Sequence, residues 1–126
     1  MKKFLFILLL LLLISCKKEE NKKENLHTKS DAAKTTEQIG KILFEGTGNC
    51  VACHQIDKKI IGPSIQEIAK IYKDKNANMV LFLKGEAKPI VDPSQYEIMK
   101  TNFTITKTLS NQELKALETY FYSHLK

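Results

Sequence analysis

The run Cys50-Val51-Ala52-Cys53-His54 constrains this chain more than any other feature of its sequence. With two residues between the cysteines, one turn of backbone can present both thiols to the same edge of a flat ligand, and the next side chain points beneath its centre. A Cys-x-x-Cys-His run is the attachment signal of a c-type haem, in which the thiols add to the two vinyl groups and the imidazole binds the iron. The sequence therefore predicts one covalently attached haem c, held by Cys50, Cys53 and His54.

Two other uses of a Cys-x-x-Cys pair agree less well with the sequence. A zinc site needs a second pair of ligands, and the third cysteine, Cys16, lies 34 positions upstream of Cys50 in a different context. A thioredoxin-like site needs a preceding strand within a βαβ pattern, whereas the residues before the motif have helical spacing. Because two cysteines are assigned to haem, no disulfide is expected.

Residues 1–15 have the pattern of an export signal. Two lysines precede eleven uninterrupted apolar residues, Phe4 to Ile14. Since crossing a bilayer takes about 20 residues, this length is typical of a secretory signal peptide. Leu13-Ile14-Ser15-Cys16 resembles the bacterial lipobox, which implies cleavage before Cys16 and lipid attachment to its thiol. Two or more acyl chains would anchor the protein to a membrane; the alternative is an ordinary thiol beside a signal anchor.

The next segment, residues 16–34, is rich in Lys, Glu, Asn, Ser and Thr and nearly free of apolar side chains. Such a composition cannot bury enough surface to order itself, so it predicts a flexible tether from the lipid to the folded domain at 35–126. The 20 basic residues of the chain are all lysine, and no basic stripe alternates with aromatics. Nucleic-acid binding is therefore not indicated.

Residues 35–126 are predicted to form an all-α domain, a small bundle of about four to five helices around the haem. Thr35 and Gln38 have capping-box spacing, and Ile39, Ile42 and Leu43 follow as one buried stripe. Later elements are predicted from caps, spacing and prolines. Helices are expected over Ser64–Lys73, Ala77–Leu83 and Ser94–Met99, and the inner face of the first of these consists of Ile65, Ile68, Ala69 and Tyr72. A loop is expected over Lys88–Pro93 and an irregular or extended stretch over Lys100–Leu109. A capped helix begins at Ser110 and continues through Leu114, Leu117 and Phe121.

Over Thr35 to Lys126 the chain resembles a monohaem class I cytochrome c. The resemblance rests on Gly40 and Phe44, four residues apart ahead of the haem motif, and on Gly62-Pro63 after it. It implies that Gly40 and Phe44 cross the last helix near Tyr120 or Phe121. It also implies that the Pro63 carbonyl accepts a hydrogen bond from the second ring nitrogen of the haem histidine, which fixes the ring.

In this family the second axial ligand is usually a methionine on the loop before the last helix. Met99 matches that position and Met79 is the alternative, since it lies in an apolar helical run typical of core packing. The proline that often follows the family methionine is missing, because Lys100-Thr101 stand there. Asn102 and Thr104 to Thr106 are candidate donors or turn residues, and His27 and His124 are expected to be exposed.

With His54 and Met99 on iron, the resemblance implies an electron carrier that is not an enzyme. The pocket walls are expected to include Leu43, Phe44, Ile65, Ile68, Phe82 and Leu117. Respiratory redox proteins are the expected partners: a quinol-oxidising complex, and a terminal oxidase or a reductase of nitrogen oxides. The carrier would be a monomer, lipid-anchored to the outer face of the cytoplasmic membrane or to the outer membrane, with the domain in the periplasm.

Three further points stay open. If Met99 does not bind iron, the open site would suit a gas sensor or a minor peroxidase. If no haem is attached, the chain would be a structural lipoprotein. The third point concerns a rim of lysines, Lys58, Lys59, Lys100 and Lys107, which would steer an acidic partner surface to the domain or be merely solvated.

Overall fold

A computed structural model of the chain describes residues 33–126. The predictions for residues 1–15, and those for Cys16 and His27 in the tether, lie outside the described residues. In the described part, no helix has the length and apolar character needed to cross a membrane.

Within residues 33–126 the structure contains six α-helices and no strand, which confirms the predicted all-α fold. The helices are α1 (Thr36–Glu45), α2 (Ile65–Asp74), α3 (Met79–Leu83), α4 (Tyr96–Lys100), α5 (Phe103–Thr106) and α6 (Asn111–Tyr122), with 3₁₀ turns at Cys50–Ala52 and Pro93–Gln95.

The first and last helices begin at capping boxes, as their sequences predict. The Thr35 side chain accepts a hydrogen bond from the Gln38 amide at 3.2 Å, and the Gln38 side chain accepts one from the Thr35 amide at 2.9 Å. Ser110 and Glu113 form the same pair of bonds ahead of α6, at 3.3 and 2.8 Å. Each box satisfies two amides that the helix leaves without partners.

Helices α1 and α6 cross at Gly40. A Cβ atom at this position would lie 2.0 Å from the carbonyl oxygen of Ala116. Only glycine, whose side chain is a single hydrogen atom, allows the two backbones to come this close. The ring of Phe44 lies 5.3 Å from that of Tyr120 and 5.7 Å from that of Phe121, centroid to centroid. This is the crossing that the family resemblance implied, with both aromatic candidates taking part.

The buried stripe predicted for α1 is wrong in two of its three members. Ile39 is 38% exposed and Ile42 is 50% exposed, whereas Leu43 is buried. The buried face of α1 consists of Gly40, Leu43 and Phe44. The contact of Gly40 with α6 turns this face inward and leaves the two isoleucines partly exposed.

The stretch from Lys100 to Leu109 was expected to be irregular or extended, and this prediction is wrong. It contains α5, in which Phe103 and Thr106 are both buried. The Thr106 hydroxyl donates a hydrogen bond to the Leu83 carbonyl at 2.6 Å. This bond and the burial of Phe103 tie α5 to the end of α3, so tertiary contacts select helix where the local threonine-rich sequence does not.

Candidate functional site

The two motif cysteines lie on a tight turn directly after α1. Gly46 caps the helix by donating its amide to the Ile42 carbonyl at 2.9 Å, and the Gly48 amide donates to the Leu43 carbonyl at 2.7 Å. Asn49 then takes a left-handed conformation, with φ of 48°, and the chain enters the 3₁₀ turn Cys50–Ala52. Both thiols are free and face one cavity.

The imidazole of His54 is buried and its orientation is fixed by backbone groups. Its Nδ1–H donates to the Pro63 carbonyl at 2.7 Å, the bond that the resemblance implied. Because Nδ1 carries the hydrogen, Nε2 is the nitrogen left with a free lone pair for a metal. A Cβ at Gly62 would lie 2.5 Å from His54 Cε1, so this glycine makes room for the ring.

Burial sets the protonation of the His54 imidazole and of the Cys50 thiol. Removal from water lowers the pKa of His54, an effect that the hydrogen bond to Pro63 opposes in part. The imidazole is therefore neutral at physiological pH, as a metal ligand must be. Burial also raises the pKa of the Cys50 thiol to about 11, so the thiol stays protonated in the folded chain.

Beside His54 and the two thiols lies a cavity of about 250 Å³ whose walls are mainly apolar. Three of the six predicted wall residues line it, namely Ile68, Phe82 and Leu117. The other three, Leu43, Phe44 and Ile65, are buried in the core outside it, which corrects their assignment. Sequence reasoning missed the wall residues Tyr72, Leu83, Val91, Gln95, Ile98 and Phe121.

The same cavity is lined by both candidate methionines. Met79 is 2% exposed and belongs to the core cluster, whereas Met99 is half-buried and packs against the edge of that cluster. Met79 begins α3, and Met99 lies in α4 immediately after the 3₁₀ turn of the proline-rich loop. The choice between them as a second ligand stays a prediction.

Two polar contacts join the segments that carry His54 and Met99. The side-chain amide of Asn102 donates to the Gly48 carbonyl at 3.0 Å, directly ahead of Cys50. Lys59, in the loop after His54, forms an ion pair with Asp92 at 2.9 Å. Asn102 and Asp92 both line the cavity. No sequence signal predicts either contact, because Gly48 contributes a backbone oxygen and Lys59 is 33 residues away from Asp92 in the chain.

The other candidate residues have local roles. Thr104 donates to the Thr101 carbonyl at 3.0 Å, which is turn chemistry. The exposure predicted for His124 is wrong, since its Nε2 atom is buried. Its ring packs edge-on against Tyr120 at 4.8 Å between centroids.

The donor set fits a haem. Two thiols, a neutral imidazole with a free Nε2 and the thioethers of Met79 and Met99 all face one apolar cavity. Within residues 33–126, no group of three or more His, Cys, Asp or Glu side chains is placed to hold a metal ion.

Comparison with known proteins agrees with this donor set. A segment of 40 residues is 42% identical to cytochrome c-552 of Nitrosomonas europaea, and it covers 32% of this chain and 38% of that protein. The chain thus matches less than half the length of this relative. The family model described as Cytochrome c matches residues 37–124, from α1 to just beyond α6. The chain therefore belongs to the cytochrome c family, whose members bind haem c covalently.

Proposed function

We propose that this chain is an electron carrier with one haem c, bound through Cys50 and Cys53 and ligated by His54 and Met99. The observation that supports it best is that these four side chains face one apolar cavity, with the Nε2 of His54 left free by the Pro63 bond. When bound, the haem supplies an iron that alternates between the ferrous and ferric states.

Groups of the protein around the cavity would tune the electron density and the oxidation state of that iron. The Pro63 carbonyl holds the His54 ring and makes Nε2 a better electron donor. Apolar walls such as Ile68, Phe82 and Leu117 exclude water and disfavour the more highly charged ferric form. If His54 and Met99 both bound the iron, they would leave no position for a substrate, which suits a carrier and not an enzyme.

Absorption spectra of the haem-loaded protein test this proposal. We expect sharp low-spin bands in the reduced form and a weak far-red sulfur-to-iron band in the oxidised form, which Met99→Ala abolishes. Met79→Leu is the matched control and keeps the far-red band. A high-spin wild type that rapidly binds carbon monoxide would instead favour the open-iron sensor or peroxidase. Loss of the band in the Met79 variant alone would move the ligand to Met79.

We further propose that the carrier works at a membrane surface, as a monomer anchored through lipid on Cys16. The anchor would lie in the outer face of the cytoplasmic membrane or in the outer membrane, with the domain in the periplasm. Its partners would be a quinol-oxidising complex and a terminal oxidase or a reductase of nitrogen oxides. Mass spectrometry of the mature N-terminus tests the anchor: a diacylglyceryl cysteine is expected, and Cys16→Ala should release the protein from membranes.

A further inference from the structure

One ion pair joins two segments that are far apart in the chain. Of the five ion pairs within residues 33–126, four connect residues three or four positions apart. The fifth connects Lys59 with Asp92, 33 positions later, at 2.9 Å. Lys59 lies in the loop after His54, and Asp92 lies immediately before the 3₁₀ turn that leads to Met99. The pair therefore bridges the two segments that carry the residues proposed as axial ligands.

The backbone on the Lys59 side is fixed relative to His54. Lys59 and His54 form an isolated antiparallel bridge. The loop between them is also tied to the start of α2, because the Ile65 amide donates a hydrogen bond to the Gln55 carbonyl at 2.8 Å. Lys59 is therefore a fixed point from which its side chain can hold another segment.

The carboxylate of Asp92 is held through both of its oxygen atoms. Oδ2 accepts a hydrogen bond from the Lys59 ammonium at 2.9 Å, and Oδ1 accepts one from the Ser94 hydroxyl at 2.6 Å. The hydrogen bond from Ser94 and the one from Lys59 lower the pKa of Asp92, so the carboxylate is ionised at neutral pH. The Asp92 side chain is 19% exposed and lines the haem cavity, whereas that of Lys59 is 57% exposed and does not line it.

From Asp92 to Met99 the chain is almost continuously helical. The 3₁₀ turn Pro93–Gln95 begins directly after Asp92 and leads into α4, which contains Met99. The Gln95 amide donates to the Asp92 carbonyl at 3.2 Å, and the ring of the first turn residue restricts the backbone. The position of Asp92 therefore determines where this helical segment starts.

We propose that the Lys59–Asp92 pair holds this segment closed against the haem cavity and thereby controls how fast an external nitrogen ligand such as imidazole reaches the iron. When the pair is broken, the first end of the segment loses this attachment, and the hydrogen bond of Asn102 to the Gly48 carbonyl remains at the other end. Lys59 and Asp92 are positioning residues, because they act through the segment that carries Met99. The proposal rests on the electron-carrier function, since it makes the pair the device that keeps the carrier closed to other ligands.

Hydrogen exchange of backbone amides, measured by mass spectrometry on the haem-loaded, full-length protein, tests the proposal. Lys59→Gln should raise the exchange rate in peptides covering residues 90–99 by about two- to fivefold, the range typical of a partly exposed ion pair. Peptides from α1 and α6 should keep their wild-type rates, because the opening is local. The rate at which imidazole binds the ferric protein should rise by the same factor. Lys59→Arg keeps the pair and should keep both wild-type rates.

Two further variants separate the pair from net charge. Lys58→Gln removes the same charge from the neighbouring exposed position, which takes part in none of the five ion pairs, and should leave both rates close to wild type. Asp92→Asn should act like Lys59→Gln, and the double variant should be no faster than Asp92→Asn alone. Unchanged exchange in Lys59→Gln, an equal effect of Lys58→Gln or Lys59→Arg, or additive effects in the double variant would overturn the proposal.

The failure of this proposal and the failure of the proposed function give different results. Amide exchange in residues 90–99 does not depend on which side chain ligates the iron, so it decides the role of the pair even if wild type lacks the far-red band. Absence of that band would overturn ligation by Met99. Unchanged exchange in Lys59→Gln, with the band present, would overturn the role of the pair alone.

Discussion

The imidazole of His54 is enclosed by backbone on two sides. The Pro63 carbonyl accepts its Nδ1–H at 2.7 Å. The α-carbon of Gly62 faces the ring, and a Cβ added there would lie 2.5 Å from Cε1 and 2.8 Å from Nδ1. A rigid atom at that distance cannot be accommodated without moving the ring, so the glycine and the proline act together on one side chain.

We predict that Gly62→Ala displaces the His54 ring and lowers the fraction of low-spin haem, or the yield of haem-loaded protein. Absorption spectra in both oxidation states measure this. Gly46→Ala is the matched control, because its Cβ would contact the Ile42 carbonyl at 2.8 Å, away from His54. The control should lose stability yet keep the wild-type spectrum, and an unchanged spectrum for Gly62→Ala would contradict the prediction.

Asn102 connects the segment that carries Met99 to the turn before Cys50. We predict that Asn102→Ala lowers the free energy of unfolding by about 1 kcal/mol, because its hydrogen bond to the carbonyl of the buried Gly48 is lost. The far-red sulfur-to-iron band should also weaken as the segment loosens. Urea unfolding and the spectrum give the two readouts. Asn111→Ala, at an exposed position at the start of α6, should change stability by less than about 0.5 kcal/mol.

At the scale of the helices, the crossing of α1 and α6 depends on the missing side chain of Gly40. We predict that Gly40→Ala lowers the free energy of unfolding by about 3 kcal/mol, since its Cβ would lie 2.0 Å from the Ala116 carbonyl oxygen and the helices would have to move apart. Guanidinium unfolding of the haem-loaded protein is the measurement.

A matched variant on the same helix tests the direction of the buried face. Ile42 is 50% exposed, so Ile42→Ser should change the free energy of unfolding by less than about 1 kcal/mol. A larger effect for Ile42→Ser than for Gly40→Ala would mean that α1 packs through the face that hydrophobic spacing alone predicts.

Local signals predict the helices that begin at caps, and this is why α1 and α6 start where their sequences indicate. Thr35 and Ser110 each bond to residues within one turn, so no distant part of the chain is needed. The face that α1 buries and the existence of α5 depend on distant contacts, Gly40 with Ala116 and Thr106 with Leu83. Spacing and propensity do not contain that information.

The same distinction between local signals and long-range contacts applies to the site. The motif residues from Cys50 to His54 are adjacent in sequence, so their chemistry is predictable from the chain alone. The contacts between Asn102 and Gly48 and between Lys59 and Asp92 are not, because residues far apart meet only after folding. The sequence also groups Lys59, Lys100 and Lys107 as one rim. In the structure, Lys100 and Lys107 line a second cleft beside α4 and α5, whereas Lys59 pairs with Asp92.

At the scale of the whole domain, the haem cavity takes walls from most of the chain. Ile68 comes from α2, Leu83 from α3, Met99 from α4 and Leu117 from α6, while His54 comes from the loop after α1. A domain of this size buries little apolar surface, so it needs the contacts that these cavity walls make with a bound group. The haem is therefore expected to complete the core and not merely to occupy it.

We predict that Cys50→Ala/Cys53→Ala, which prevents covalent attachment, abolishes the sharp thermal unfolding transition and lowers the helical signal in circular dichroism. The walls of the cavity would face water or collapse, whereas the α1–α6 crossing does not require the haem and can retain part of its helix. Cys53→Ala alone keeps one thiol for attachment and serves as the control, with an intermediate transition. A double variant that unfolds as cooperatively and at the same temperature as the haem-loaded protein would show that the helices supply a sufficient core by themselves.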